Sequence, residues 1–184
     1  MPGAYRFIVV AAIAIAGQEA QQTAPFRSIE VSGGAHVVLR NATAHRVRVV
    51  SGNLDMSRVQ VTAGELVIDK CRTKCPKGYQ LELEVFAPSV TRISVAHGGR
   101  IESGDGFARQ SELKVEVENG GTIDVRTIAA DRVTASVNQG GGIMTSARAL
   151  LSATVANGGN ITYWGDPEVR RSVDHGGAVQ KAAN

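Results

Sequence analysis

Five times in its second half the chain repeats one phrase: alternating strand residues, a polar residue, two glycines, one further residue, then Ile or Val. The copies are Ile93–Ile101, Val115–Ile123, Ala135–Ile143, Ala153–Ile161 and Arg171–Val179. Their glycine pairs are Gly98-Gly99, Gly120-Gly121, Gly140-Gly141, Gly158-Gly159 and Gly176-Gly177, so the first glycines fall 22, 20, 18 and 18 residues apart. A unit of about 20 residues cannot bury an apolar face alone, but parallel stacking of successive copies can. Aligning the copies produces apolar columns: Leu113, Val133, Leu151, Val169; then Ile93, Val115, Ala135, Ala153; then Val95, Val117, Val137, Val155, Val173. After the glycines comes Ile101, Ile123, Ile143, Ile161, Val179, while Ser94, Glu116, Ser136, Thr154 and Ser172 alternate to the other side. The glycines mark a corner, where positive φ is required. The expected architecture is a single-domain, all-β parallel β-helix over 26–181, with roughly eight coils in a rod near 40 Å long. Arg171 and Lys181 then charge the terminal coil, as a solvated cap should be.

Composition agrees with one globular unit. At 184 residues, 43% apolar and 20% charged, the chain is neither disordered nor dependent on disulfides for a core. A formal charge of +3, without an aromatic-basic stripe, gives no argument for nucleic acid. The first half reads as further short strands at Ser28–Val31, His36–Leu39, Arg46–Val50, Arg58–Thr62, Glu65–Asp69 and Gln80–Phe86. No segment after Phe26 has a sustained helical period.

The first sixteen residues read as an address. Arg6 ends a weakly basic head, Phe7–Ala16 is apolar, and Ala14 and Ala16 occupy the small positions of a cleavage site. The run is half the length of a membrane span, and the alternative is a buried N-terminal helix. No cysteine follows, which argues against a lipid anchor. Residues 17–25 are expected to be a polar linker, and the processed chain to be exported to a bacterial periplasm or cell surface without a transmembrane segment.

The order of several motifs resembles the GIN-domain family, the auto-transporter adhesin head domains. The motifs are Phe26–Gly33, Val59–Ile68, Leu83–Pro88 with Arg92–Val95, the glycine-pair repeats, and Gly159–Pro167. The resemblance covers about Phe26–Lys181. It implies a right-handed β-helix, export, and no established catalytic activity. This chain departs by carrying His, Asn or Gln before the glycine pair, where the family often has Ser-Gly-Ser-Gly.

Several side chains are candidates for function. His97, Asn119, Gln139, Asn157 and His175 precede the glycine pairs. Alternation places them in the inward column as a structural hydrogen-bonding ladder. His97 and His175 would be roughly 19 Å apart, too far to share a metal. His36 and His45 lack ligand spacing, and no cofactor is expected. Cys71 and Cys75 are expected to form a disulfide in an exported chain, with free thiols as the alternative. Zinc would need two further ligands. Ser103–Phe107 is a single piece of a calcium-repeat pattern that works only when iterated. Arg40, Arg46, Arg48, Arg58, Lys70, Arg72, Lys74 and Lys77 outweigh Asp55, Glu65 and Asp69 over one stretch. That excess suits an anionic glycan or another anionic envelope component, or else is a solvated surface. Trp164 could stack on a sugar or pack on the last coil. The expected function is a non-catalytic exported module for adhesion, ligand binding or scaffolding. The alternative is a polysaccharide-active enzyme built on Glu102 and Asp124, whose sequence neighbours Arg100 and Arg126 offer charge balance instead.

Self-association follows from the rod's ends. Arg170, Arg171, Asp174, His175 and Lys181 blunt the C-terminal coil, while Ile29, Val31, Val37, Val38 and Leu39 would make an N-terminal first coil sticky. The expectation is a monomer or a weak head-to-head homodimer.

Overall fold

The computed structural model describes residues 19–71 and 74–183; the expected leader, its expected cleavage site and Arg72 lie outside them. Among the described residues the regular structure is all strand. In chain order the strands are β1 (Gln21–Gln22), β2 (Ser28–Ser32), β3 (His36–Asn41), β4 (Arg46–Ser51) and β5 (Arg58–Thr62). Then come β6 (Glu65–Asp69), β7 (Glu82–Ala87), β8 (Arg92–Ala96), β9 (Arg100–Ser103) and β10 (Gln110–Glu118). The last are β11 (Thr122–Asn138), β12 (Gly142–Ala156), β13 (Asn160–Trp164), β14 (Glu168–Asp174) and β15 (Ala178–Lys181).

The strands form a β-solenoid of two stacks meeting at the glycine corner. One stack runs β6, β2, β8, β10, the second half of β11, the second half of β12, then β14, all parallel. The other runs β7, β3, β9, the first half of β11, the first half of β12, β13, then β15. There are therefore seven parallel rungs, not eight, and six intervals of about 4.8 Å make about 29 Å. The missing coil is β4 and β5, which run antiparallel against β7 and β6.

The predicted columns are the observed ones. Val31, Val95, Val117, Val137, Val155 and Val173 stand in register, as do Val37, Ile101, Ile123, Ile143, Ile161 and Val179. Apart from the terminal-rung Val173, these side chains are buried and form one continuous core between the stacks. The polar column Glu30, Ser94, Glu116, Ser136, Thr154, Ser172 faces out.

Two expectations are corrected. Val31, Val37 and Leu39 do not form a sticky first coil, because the chain enters at the second rung. The β2/β3 rung is flanked by β6/β7 on one side and β8/β9 on the other, and those side chains, with Ile29, are fully buried. The segment expected to be linker adds β1, which pairs antiparallel with β4 at that end. The head-to-head argument therefore loses its surface.

The residues before the glycines are also not inward. His97, Asn119, Gln139, Asn157 and His175 are exposed, and their φ values of 53°, 54°, 58°, 56° and 52° lie in the left-handed region. Each has already left the strand, so the alternation used to place it no longer applies. With the following glycine at φ 79–87°, each corner places two consecutive residues at positive φ, which reverses the chain within three residues. Four of the five stack chiefly through backbone bonds, each N–H donating to a carbonyl of the next rung, as from Asn119 to Asn138, and the Asn157 amide also donates to the Asn138 side chain at 3.3 Å.

The two glycines of a corner do different jobs. A Cβ on Gly120, Gly140, Gly158 or Gly176 would meet nothing within 4 Å, so these positions require only the positive φ. A Cβ on Gly141 would lie 2.6 Å from the Gly121 carbonyl oxygen and 2.7 Å from a Val117 methyl. Gly121, Gly159 and Gly177 are equally confined by the rung before them. The second glycine lets adjacent rungs approach; the first lets the chain turn.

Candidate functional site

Outward-facing positions of the second stack align charges across rungs. Arg48, Glu84, Val38, Glu102, Asp124, Met144, Thr162 and Gln180 form one registered column. Residues two apart in a strand share a side, so the cations beside this column reach its carboxylates. Glu84 accepts from Arg40 at 2.7 Å and pairs with Arg48. Glu102 accepts from Arg100 at 2.5 Å and faces His36 at 3.1 Å; Asp124 binds Arg126 at 2.6 Å.

These partners set the ionisation. Burial alone would raise the Glu84 carboxyl, but hydrogen bonds and charge from Arg40 and Arg48 outweigh it and hold the group below its ordinary range. The Arg100 hydrogen bond likewise lowers Glu102, against burial and with help from His36. A general acid in glycoside hydrolysis needs the opposite shift. Glu102 and Asp124 do stand opposite one another on adjacent rungs, as the enzyme alternative requires, but each is engaged by a guanidinium.

The other candidates find their places. Tyr163 shares the inward register of Thr145, so Trp164 is the outward member of the pair. It is half-buried, with the Arg126 guanidinium carbon 5.1 Å from its ring centroid. His45 is held by the Phe26 carbonyl, and His97 and His175 sit on different rungs. Among the described residues no three His, Cys, Asp or Glu side chains gather as metal ligands. Ser103 bonds Thr127, which in turn donates to the Ser103 and Gly104 carbonyls, so this segment staples two rungs. On the first stack, Glu116 pairs with Arg92 and Lys114 beside a shallow groove of about 400 Å³ lined by Glu30, Ser94, Ser136 and Asn138.

The basic stretch divides. Arg40 and Arg48 are neutralised by Glu84, whereas Arg46, Arg58, Lys70, Lys74 and Lys77 have no carboxylate partner among the described residues. Arg72 lies outside these residues. The lysines belong to the corner between β6 and β7, where twelve residues, Lys70–Leu81, replace the usual three. A Cys71–Cys75 disulfide closes this loop, with Cα atoms 5.9 Å apart. Sequence reasoning missed what anchors it: buried Ser57 donates to the Lys70 carbonyl at 2.9 Å and bonds the Tyr79 hydroxyl at 2.8 Å. The same hydroxyl accepts from the Asn53 N–H. Nothing in the sequence spacing links residues 53, 57 and 79, which meet only because β4 and β5 fold back over the same corner.

The family model described as "Putative auto-transporter adhesin, head GIN domain" matches residues 25–150 and 109–167. Among solved structures, a putative adhesin from Bacteroides fragilis is similar at TM-score 0.54 and 16% identity, covering 90% of this chain and 96% of that one. A putative adhesin from Parabacteroides merdae is similar at TM-score 0.40 and 12% identity, covering 91% of this chain and 96% of that one. No curated protein matches the chain.

Proposed function

The chain belongs to the GIN-domain family, and from that premise we propose that it is a non-catalytic, exported surface module that presents a rigid solenoid for adhesion or ligand binding. The observation that carries this reading is the paired column of Glu84, Glu102 and Asp124. Each of these three carboxylates is held by a guanidinium two residues away or on a neighbouring strand. Such pairing makes a durable polar surface and holds Glu84 and Glu102 ionised, the opposite of what a proton donor needs. The repeated tight corners and the continuous core supply rigidity, which lowers the entropic cost of binding. The leader pattern supports export, and the disulfide suits an oxidising compartment.

Cell fractionation, N-terminal sequencing and protease treatment of intact cells test this together. The expected result is a chain beginning at Gly17, in the envelope or outside the cell, and degraded by added protease. A chain retaining Met1 in the cytosol would overturn the reading.

A further inference from the structure

Resting on that surface-module reading, we propose that the disulfide-closed corner at the β6/β7 end of the rod is a binding site for an anionic polysaccharide bearing carboxylate or sulfate groups. The corner is built beyond what the fold needs. The other parallel rungs turn in three residues, as at 33–35 and 97–99, whereas this one uses the twelve of Lys70–Leu81. The described part of the loop is tied to the scaffold. The disulfide closes its first half, Ser57 fixes the Lys70 carbonyl, and Tyr79 is bolted to Asn53 and Ser57.

Its charge is one-sided. No Asp or Glu occurs between residues 70 and 81. Lys70, Lys74 and Lys77 have no carboxylate partner among the described residues, and Lys74 and Lys77 are exposed. Elsewhere many cations are paired, Arg92 and Lys114 on Glu116, Arg100 on Glu102, Arg126 on Asp124 and Arg109 on Asp131. Those without a carboxylate among the described residues, such as Arg27, Arg148 and Arg171, are not gathered with two others on one short loop. Unpaired ammonium groups gathered on one loop concentrate an anionic ligand at one end of the molecule.

The shape is right for sugars. Between the loop and Gly33 lies an open cleft of about 360 Å³, walled by Lys70, the disulfide, Pro76, Gly78 and Tyr79. That is within the usual size of small-ligand sites. The loop tip, Lys74–Gly78, carries no large apolar residue to wedge into a bilayer. Tyr79 is half-buried with its hydroxyl committed to the scaffold, so no free aromatic is offered for stacking nucleic-acid bases. A chain of saccharide rings carrying anionic groups fits both the cleft and its lysine rim.

The test uses the chain from Gly17 in surface plasmon resonance on dextran sulfate, polygalacturonate and neutral dextran, with phosphatidylglycerol vesicles and single-stranded DNA as further arms. Binding is expected to the two anionic polysaccharides and not to neutral dextran, and it weakens as salt rises. Lys74→Gln with Lys77→Gln weakens it about 25-fold, at roughly fivefold for each cation lost against an anionic surface. Lys114→Gln, which removes a cation already paired with Glu116, changes it by about twofold or less. Both variants alter surface side chains, and circular dichroism is expected to match the parent. The site is refuted if the double variant binds as the parent does or if Lys114→Gln causes the same loss. Attachment to vesicles or DNA without polysaccharide also refutes it. Cell fractionation, which tests export, is a separate measurement, so the two readings fail separately.

Discussion

One corner, Gln139-Gly140-Gly141, separates the three demands that the repeat makes on its turn. Gln139 sits at φ 58° and is exposed. For a residue with a Cβ that conformation costs about 1–2 kcal/mol, least for Asn, Asp and His. Gln139→Gly therefore stabilises the protein by roughly 1 kcal/mol, with Gln139→Asn recovering part of it. Gly140→Ala faces the same backbone cost at φ 82° but open space, so about 1–2 kcal/mol is lost. Gly141→Ala is worse. Its φ of 102° lies beyond the left-handed basin, and its Cβ would press on the Gly121 carbonyl at 2.6 Å and the Val117 methyl at 2.7 Å. Strain and overpacking together cost about 2–6 kcal/mol. Gly99 provides an internal control, because its φ is not positive and its nearest contact would be 3.0 Å. Its equivalent on the adjacent rung is Ala35, fully buried without a clash, so Gly99→Ala costs less than Gly141→Ala. Each kcal/mol moves the melting temperature by roughly 2–4 °C in a chain of this size. Thermal unfolding of the five variants should rank Gln139→Gly above parent, Gly140→Ala below it and Gly141→Ala lowest. Equal costs at Gly140 and Gly141, or a loss at Gln139→Gly, would refute the division of labour.

Three further perturbations bear on the packing. Thr145 is fully buried with no partner for its hydroxyl among the described residues, so the isosteric Thr145→Val gains about 1 kcal/mol in chemical denaturation. Glu84→Gln leaves Arg40 and Arg48 without their shared carboxylate and costs about 1.5–3 kcal/mol. Because folding holds the Glu84 carboxyl below its ordinary value, its contribution is complete above the unfolded carboxylate range and disappears as pH falls through the folded value. A stability–pH profile should therefore lose part of its acid limb in the Gln variant. Replacing Cys71 and Cys75 by Ser opens a five-residue loop, a loss of about 2 kcal/mol by loop-closure entropy that denaturant titration can read.

The second half of the fold is legible because its register is kept through every glycine corner, the shifts between β11 and β12 being confined to 125–132. Val95, Val117, Val137, Val155 and Val173 could be aligned by eye, and each pairs with the next. The first half hides the same scheme for two physical reasons. Its corner is shifted by one glycine: Gly33 and Gly34, at φ 67° and 78°, occupy the places of His97 and Gly98, and Ala35 stands where Gly99 does. Its outermost rung, β6/β7, follows β2/β3 in sequence but precedes it in space, an order that no local pattern encodes. The ladder residues were misplaced because period-two alternation was carried one residue into the turn. Their identities still held the clue, since Asn and His are among the residues that tolerate left-handed backbone. At the candidate site, the pairs Arg100/Glu102 and Asp124/Arg126 followed from i, i+2 spacing on a strand. The Ser57–Tyr79 anchor did not, being a contact between loops that only the antiparallel β4 and β5 bring together.

Whether the outer face binds or cuts is the question on which the functional account turns. Incubation of the chain from Gly17 with envelope and plant polysaccharides, read by reducing-end release and absorbance of unsaturated products, answers it directly. The account predicts retention on anionic polysaccharide without new ends. Product formation by the parent, abolished in Glu102→Ala, would contradict it.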